Sequence, residues 1–122
     1  MKKFELTNEF VTNMFGTKLF RIRALVEFGD VEAGELGGYV EKESNLGHDD
    51  NAWVYGDARV YGNALVCGNA RVYDNARVYG DAWVYGNARV CGDARVCGNG
   101  DYAYAHGFGS VNRTTTFFRL KD

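Results

Sequence analysis

The chain has no proline, only three cysteines and only two histidines among its 122 residues. Each shortage excludes something. Three Cys make no even disulfide framework, which points to free thiols in a reducing compartment. Two His, His48 and His106, leave few side chains for a metal site or for acid–base work. No run approaches the ~20 uncharged apolar residues of a membrane span. The opening Met1-Lys2-Lys3-Phe4-Glu5 puts an acid where a signal peptide needs its apolar run, which predicts no export and a cytoplasmic location. Fourteen basic against 16 acidic side chains give a net charge of −2, unlike a duplex nucleic-acid binder. The 16 Gly resemble low complexity, but an aromatic share of 15% argues for a packed fold.

What the chain has in abundance is a repeat. From Asn51 it reads NAWVYG, DARVYG, NALVCG, NARVYD, NARVYG, DAWVYG, NARVCG, DARVCG, eight hexads over residues 51–98 without insertion or deletion. Position one is Asn or Asp, position two Ala and position four Val; position six is Gly except at Asp74. A period of six suits neither a helix nor a coiled coil. It suits a short x-Val-x strand with a Gly-Asn or Gly-Asp corner, because Gly, Asn and Asp tolerate positive φ. Val then points inward and its neighbours outward, while Ala is small enough to sit inside the corner. So short a strand cannot bury its face alone, and the units must coil and stack.

These hexads resemble the repeat of left-handed parallel β-helices. That resemblance implies an all-β left-handed prism with three hexads to each 18-residue coil, capped by irregular β structure at both ends. Residues 1–50 are expected to form the first cap and entry, 51–98 the helix, and 99–122 the second cap, all within one structural domain. Lys18–Leu25 alternates as a half-buried strand after a turn at Asn13–Gly16. Counting back by six from Ala52 puts Leu46 and Val40 in the Ala slot and His48 in the Val slot. Tyr102 falls in the Val slot, where it would plug the prism, and Thr114–Leu120 reads as a strand. The stretch FRIRALVEFGDVEAGELGGYVEKESNL before NAWVYG is similar to the entry region of small phage and prophage hexapeptide-repeat proteins.

Stacking residues 18 apart sorts the outward positions by face. One face carries Trp53, Arg71 and Arg89 beside Tyr55, Tyr73 and Cys91; a second carries Arg59, Arg77 and Arg95 beside Tyr61, Tyr79 and Cys97. The third has Leu65 and Trp83 beside Cys67 and Tyr85. No two Cys share a column, so no disulfide forms within the helix.

The stacked Arg residues, Arg71 and Arg89 on one face and Arg59, Arg77 and Arg95 on the next, read either as a solvated ladder over Tyr or as a site for an anion or acidic partner. Leu65, Trp83, Tyr85 and Cys67 form the least polar face, suited to self-association as a dimer or trimer or else to cover by the flanking segments. The Asn/Asp columns are corner formers rather than a metal site. Many left-handed β-helix proteins are acyltransferases with a His base, for which His106 and His48 are the only candidates. No loop interrupts the hexads to shape an acceptor pocket, and no cofactor motif is present.

Two functional readings follow. In the first, the resemblance implies a non-catalytic phage accessory protein that antagonises host defence by binding a host protein or an anionic nucleotide signal. In the second, the chain is a minimal acyltransferase. A purely structural module is a third.

Overall fold

The structure, a computed structural model, describes residues 2–97, and residues 99–104 and 110–112 by their backbone pairing alone. Three parallel ladders account for the repeat. One contains β5 (Arg59–Val60), β8 (Arg77–Val78) and β11 (Arg95–Val96). The second contains β4 (Trp53–Val54), β7 (Arg71–Val72), β10 (Arg89–Cys91) and β13 (Ser110–Asn112). The third contains β6 (Leu65–Val66), β9 (Asp81–Tyr85) and β12 (Asn99–Tyr104). Val54 pairs with Val72, Val60 with Val78 and Val66 with Val84, each partner three hexads further along. The expected three-hexad coil is therefore the observed one.

The interior is as the hexads dictate. Each repeat Val from Val54 to Val96 is fully buried, and each repeat Ala is at most 1% exposed. At the corners the sixth residue takes positive φ, as at Gly62 (+68°) and Gly80 (+70°). A Cβ on Gly62 would lie 3.0 Å from the Gly80 nitrogen of the next coil, so close stacking requires Gly there. Asp74 is the exception: it adopts φ +62°, and its carboxylate accepts the Gly92 amide at 3.0 Å.

The first ladder continues beyond the hexads. β3 (Leu36–Val40) pairs in parallel with β5, and β1 (Phe4–Thr12) and β2 (Lys18–Ala24) add antiparallel strands, giving the order β1-β2-β3-β5-β8-β11. The alternation that predicts a strand from Lys18 and the turn at Asn13–Gly16 are both present. β1 is not legible in the sequence, because a bulge between Leu6 and Phe10 breaks its alternation.

The backward count needs correcting. Val40 lies opposite Val60 and Leu46 opposite Val66, so both occupy Val slots and not Ala slots. Along the first coil the amide of Gly47 bonds the Val66 carbonyl, and that of Asn51 bonds the Gly68 carbonyl. Two extra residues are thus looped out between them. His48 lies in that excursion, outside any slot. Its ring stacks on Phe4 at 4.4 Å, and its Nδ1 accepts the Lys3 amide at 3.0 Å.

Lys3 explains why the chain bulges here. Its ammonium is buried and donates to the carbonyls of Asp50 (2.9 Å) and Ala52 (2.7 Å), with Asp50 Oδ1 at 3.3 Å. Burial lowers the Lys3 pKa, opposed by the Asp50 charge. Asp50 in turn accepts the Gly68 amide at 2.7 Å. A buried cation and its acceptors tie the N-terminal strand to the first coil.

Trp53 corrects a second expectation. Its position is outward in the hexad, yet it is 0% exposed, because Phe4 and Phe28 pack edge-on against it. Cys91, also expected to face outward, is 4% exposed in β10, which is paired on both sides. Among the described residues no helix is long and apolar enough to cross a membrane.

Candidate anion-binding groove

Arg59, Arg77 and Arg95 stand in register on β5, β8 and β11. Tyr61 and Tyr79 run beside them with rings stacked at 5.1 Å and 5° between planes. Strands pair roughly 4.8 Å apart, so three guanidinium groups share a short ladder. Among the described residues no carboxylate lies within ion-pair distance of any of the three. Burial raises the Tyr61 pKa against the opposing charges of Arg77, Arg95 and Arg59. Tyr79 is raised by burial and by its hydrogen bond with Cys97.

The antiparallel hairpin turns this ladder into a groove. Asn13 Oδ1 accepts the amides of Phe15 (2.9 Å) and Thr17 (3.0 Å), which fixes the β1–β2 turn. Residues Thr12–Phe15 then form one wall, and the Arg and Tyr columns the other, of a cleft of about 350 Å³. Met14 and Phe15 are 84% and 79% exposed at its lip. Arg21, on the neighbouring strand β2, is already engaged. It packs over the Tyr39 ring at 4.5 Å, hydrogen-bonds its hydroxyl, and takes Glu9 at 2.9 Å.

Sequence reasoning finds the Arg and Tyr columns but misses Thr12, Met14 and Phe15 as a wall. The turn is readable locally; its placement over the ladder depends on β2 pairing with β3, which no local signal reports.

The other columns are arranged differently. Arg71 and Arg89 line a second cleft of about 320 Å³ with Tyr55 and Tyr73, but there Asp30 is part of the lining. The Asp30 carboxylate accepts the Tyr55 hydroxyl at 3.1 Å and lies 3.8 Å from Arg71. On the third face Trp83 is 45% exposed and meets Tyr85 edge-on at 6.4 Å, with Leu65 and Cys67 half-buried beside them. Cys67, Cys91 and Cys97 form no disulfide among the described residues. No cluster among the described residues could hold a metal ion.

Of the two histidines, only His48 lies within the described residues. Its Nδ1 accepts a backbone proton, so the neutral ring carries its own proton on Nε2, 3.7 Å from Glu43 Oε1. That arrangement offers no free ring nitrogen to take a proton from a substrate. His106, the Tyr102 side chain and the expected strand Thr114–Leu120 lie outside the described residues.

Comparison with known proteins agrees with this architecture. A family model described as the YdcK beta solenoid repeat matches residues 52–68 and 70–86. The chain is similar to a protein of Escherichia coli (strain K12) described as "Uncharacterized acetyltransferase YdcK". The two are 37% identical over 62 residues, an alignment covering 45% of this chain. The chain spans 19% of that relative's length. With its unbroken hexads and three-hexad coil, the chain folds as a parallel β-solenoid of hexapeptide repeats, and the matched model is of such a repeat.

Proposed function

We propose that this protein acts by binding, and that the groove between the hairpin tip and the Arg59–Arg77–Arg95 ladder takes an anionic ligand or an acidic partner. One observation carries the reading: three stacked guanidinium groups without an acidic partner among the described residues. Like charges at this spacing repel, and an incoming anion relieves the repulsion. Tyr61 and Tyr79 add flat surfaces beside the charge. In its narrower form the protein is a phage accessory factor in the host cytoplasm. There it antagonises a defence component by blocking a host protein or sequestering a nucleotide signal. Self-association through Leu65, Trp83, Tyr85 and Cys67 belongs to the same reading.

The test is native mass spectrometry of the protein purified from its producing cells, beside an Arg59→Glu, Arg77→Glu, Arg95→Glu variant. The reading expects a retained anion or acidic partner that the folded variant lacks. Equal retention by both proteins would reject the groove.

A second reading draws on the relative, described as an uncharacterized acetyltransferase. Here a His would serve as base, and the engagement of His48 Nδ1 leaves His106 as the remaining candidate. Full biological effect in a His48→Ala, His106→Ala variant would exclude acyl transfer through either ring.

A further inference from the structure

Neighbouring faces of the solenoid are offset by one hexad, so equivalent positions recur on each with different surroundings. On the face of β4 and β7, Asp30 sits at the tip of a tight turn closed by reciprocal bonds between Phe28 and Val31. Its carboxylate is held by the hydroxyl of Tyr55 and faces the guanidinium of Arg71. Tyr55 is the fifth residue of one hexad, and Arg71 is the third residue of the hexad stacked on it. Six residues further on, the same two positions are Tyr61 and Arg77, on the face of β5 and β8. One coil later they recur as Tyr79 and Arg95. The first pair already holds an anion supplied by the chain. The equivalent pairs in the groove face no carboxylate among the described residues.

We infer that the groove binds a phosphate ester bearing a planar ring, of mononucleotide size, with its phosphate where Asp30 would sit: between the Tyr61 hydroxyl and the Arg77 guanidinium. This rests on the binding reading above and specifies its ligand. A single carboxylate meets Arg71 on the neighbouring face, whereas the groove offers Arg77 flanked by Arg59 and Arg95. That charge suits a dianion with several acceptor oxygens better than a monoanion. The ring is accounted for by the other wall. Met14 and Phe15 are large, almost fully exposed and held over the ladder by the Asn13 turn. The cleft measures about 350 Å³. Small-ligand sites start near ~300 Å³, so a mononucleotide is of the right scale. A folded partner domain would not enter it.

Calorimetric titration with adenosine monophosphate, adenosine and inorganic phosphate tests the assignment. Adenosine monophosphate binds one per chain, and each fragment binds at least about tenfold more weakly. Arg77→Ala lowers its affinity about tenfold or more, and Tyr61→Phe, which keeps the ring stack, lowers it about three- to tenfold. Phe15→Ala brings the nucleotide close to the affinity of phosphate alone. Arg23→Ala, which removes a cation paired with Glu5 outside the cleft, changes nothing. The inference falls if the nucleotide binds no better than phosphate, or if Arg77→Ala and Arg23→Ala behave alike. If it falls while the triple charge reversal still strips a retained partner, the broader binding reading stands. If the reversal strips nothing either, both fail.

Discussion

Asp74 and Gly92 occupy stacked corners, and the carboxylate of the first accepts the amide of the second at 3.0 Å. That bond offsets the cost of the left-handed Asp74 backbone, at φ +62°. Asp74→Ala should therefore lose stability by about 1–2 kcal/mol, keeping the strain and losing the acceptor. Asp74→Gly, which relieves the strain, should lose less, and Asp74→Asn least. Urea unfolding midpoints of the three variants check the order.

The glycine corners differ among themselves. A Cβ on Gly62 meets the Gly80 nitrogen at 3.0 Å, whereas one on Gly56 meets nothing within 4 Å. Both have positive φ. Both Ala variants therefore carry backbone strain of about 1–2 kcal/mol. Gly62→Ala adds a backbone clash between coils and should unfold at clearly lower urea than Gly56→Ala. Equal midpoints would show that the coils part readily at this corner.

The Tyr55 phenol is pushed up to about 12 from 10.0, first by burial and then by the charge of Asp30 and its hydrogen bond. A raised pKa favours the protonated phenol in the folded state. Its contribution is full below pH 10 and disappears as pH rises toward about 12. Asp30→Asn removes the charge, so Tyr55 should ionise at lower pH, and the alkaline loss should be smaller and complete at lower pH. Phenolate absorbance of wild type and Asp30→Asn, each beside its Tyr55→Phe partner, isolates this residue.

Lys3 offers a test of how the N-terminal strand is held. Lys3→Met keeps much of the stem but orphans the carbonyls of Asp50 and Ala52. A loss of about 2–4 kcal/mol is expected from breaking a buried charged network. Amide exchange should quicken first in β1 and around Asn51. Uniform quickening along the whole ladder would instead mean that cap and coil unfold together.

Much of the fold can be read because the hexad is a local code: inward Val54 and Ala58, and the corner at Gly62, each follow from neighbours within six residues. What escapes depends on contacts made across the chain. His48 leaves the Val slot because Lys3, 45 residues earlier, bonds into the excursion. Trp53 is buried by Phe4 and Phe28, which lie outside the hexads and which no local signal brings against it. The groove is half legible in the same sense. Its Arg and Tyr wall repeats; its Met14 and Phe15 wall does not.

The offset of one hexad between faces also limits how such a gene can change length. Inserting or deleting a single hexad within residues 51–98 would preserve every inward Val, yet rotate everything downstream by a third of a revolution. A change between Arg59 and Arg77 would move Arg77 and Arg95 together onto another side, splitting the charged ladder in two. A change of three hexads keeps both packing and pattern, lengthening or shortening the cationic strip by one rung. The scaffold tolerates steps of six; the surface chemistry inherits only steps of eighteen.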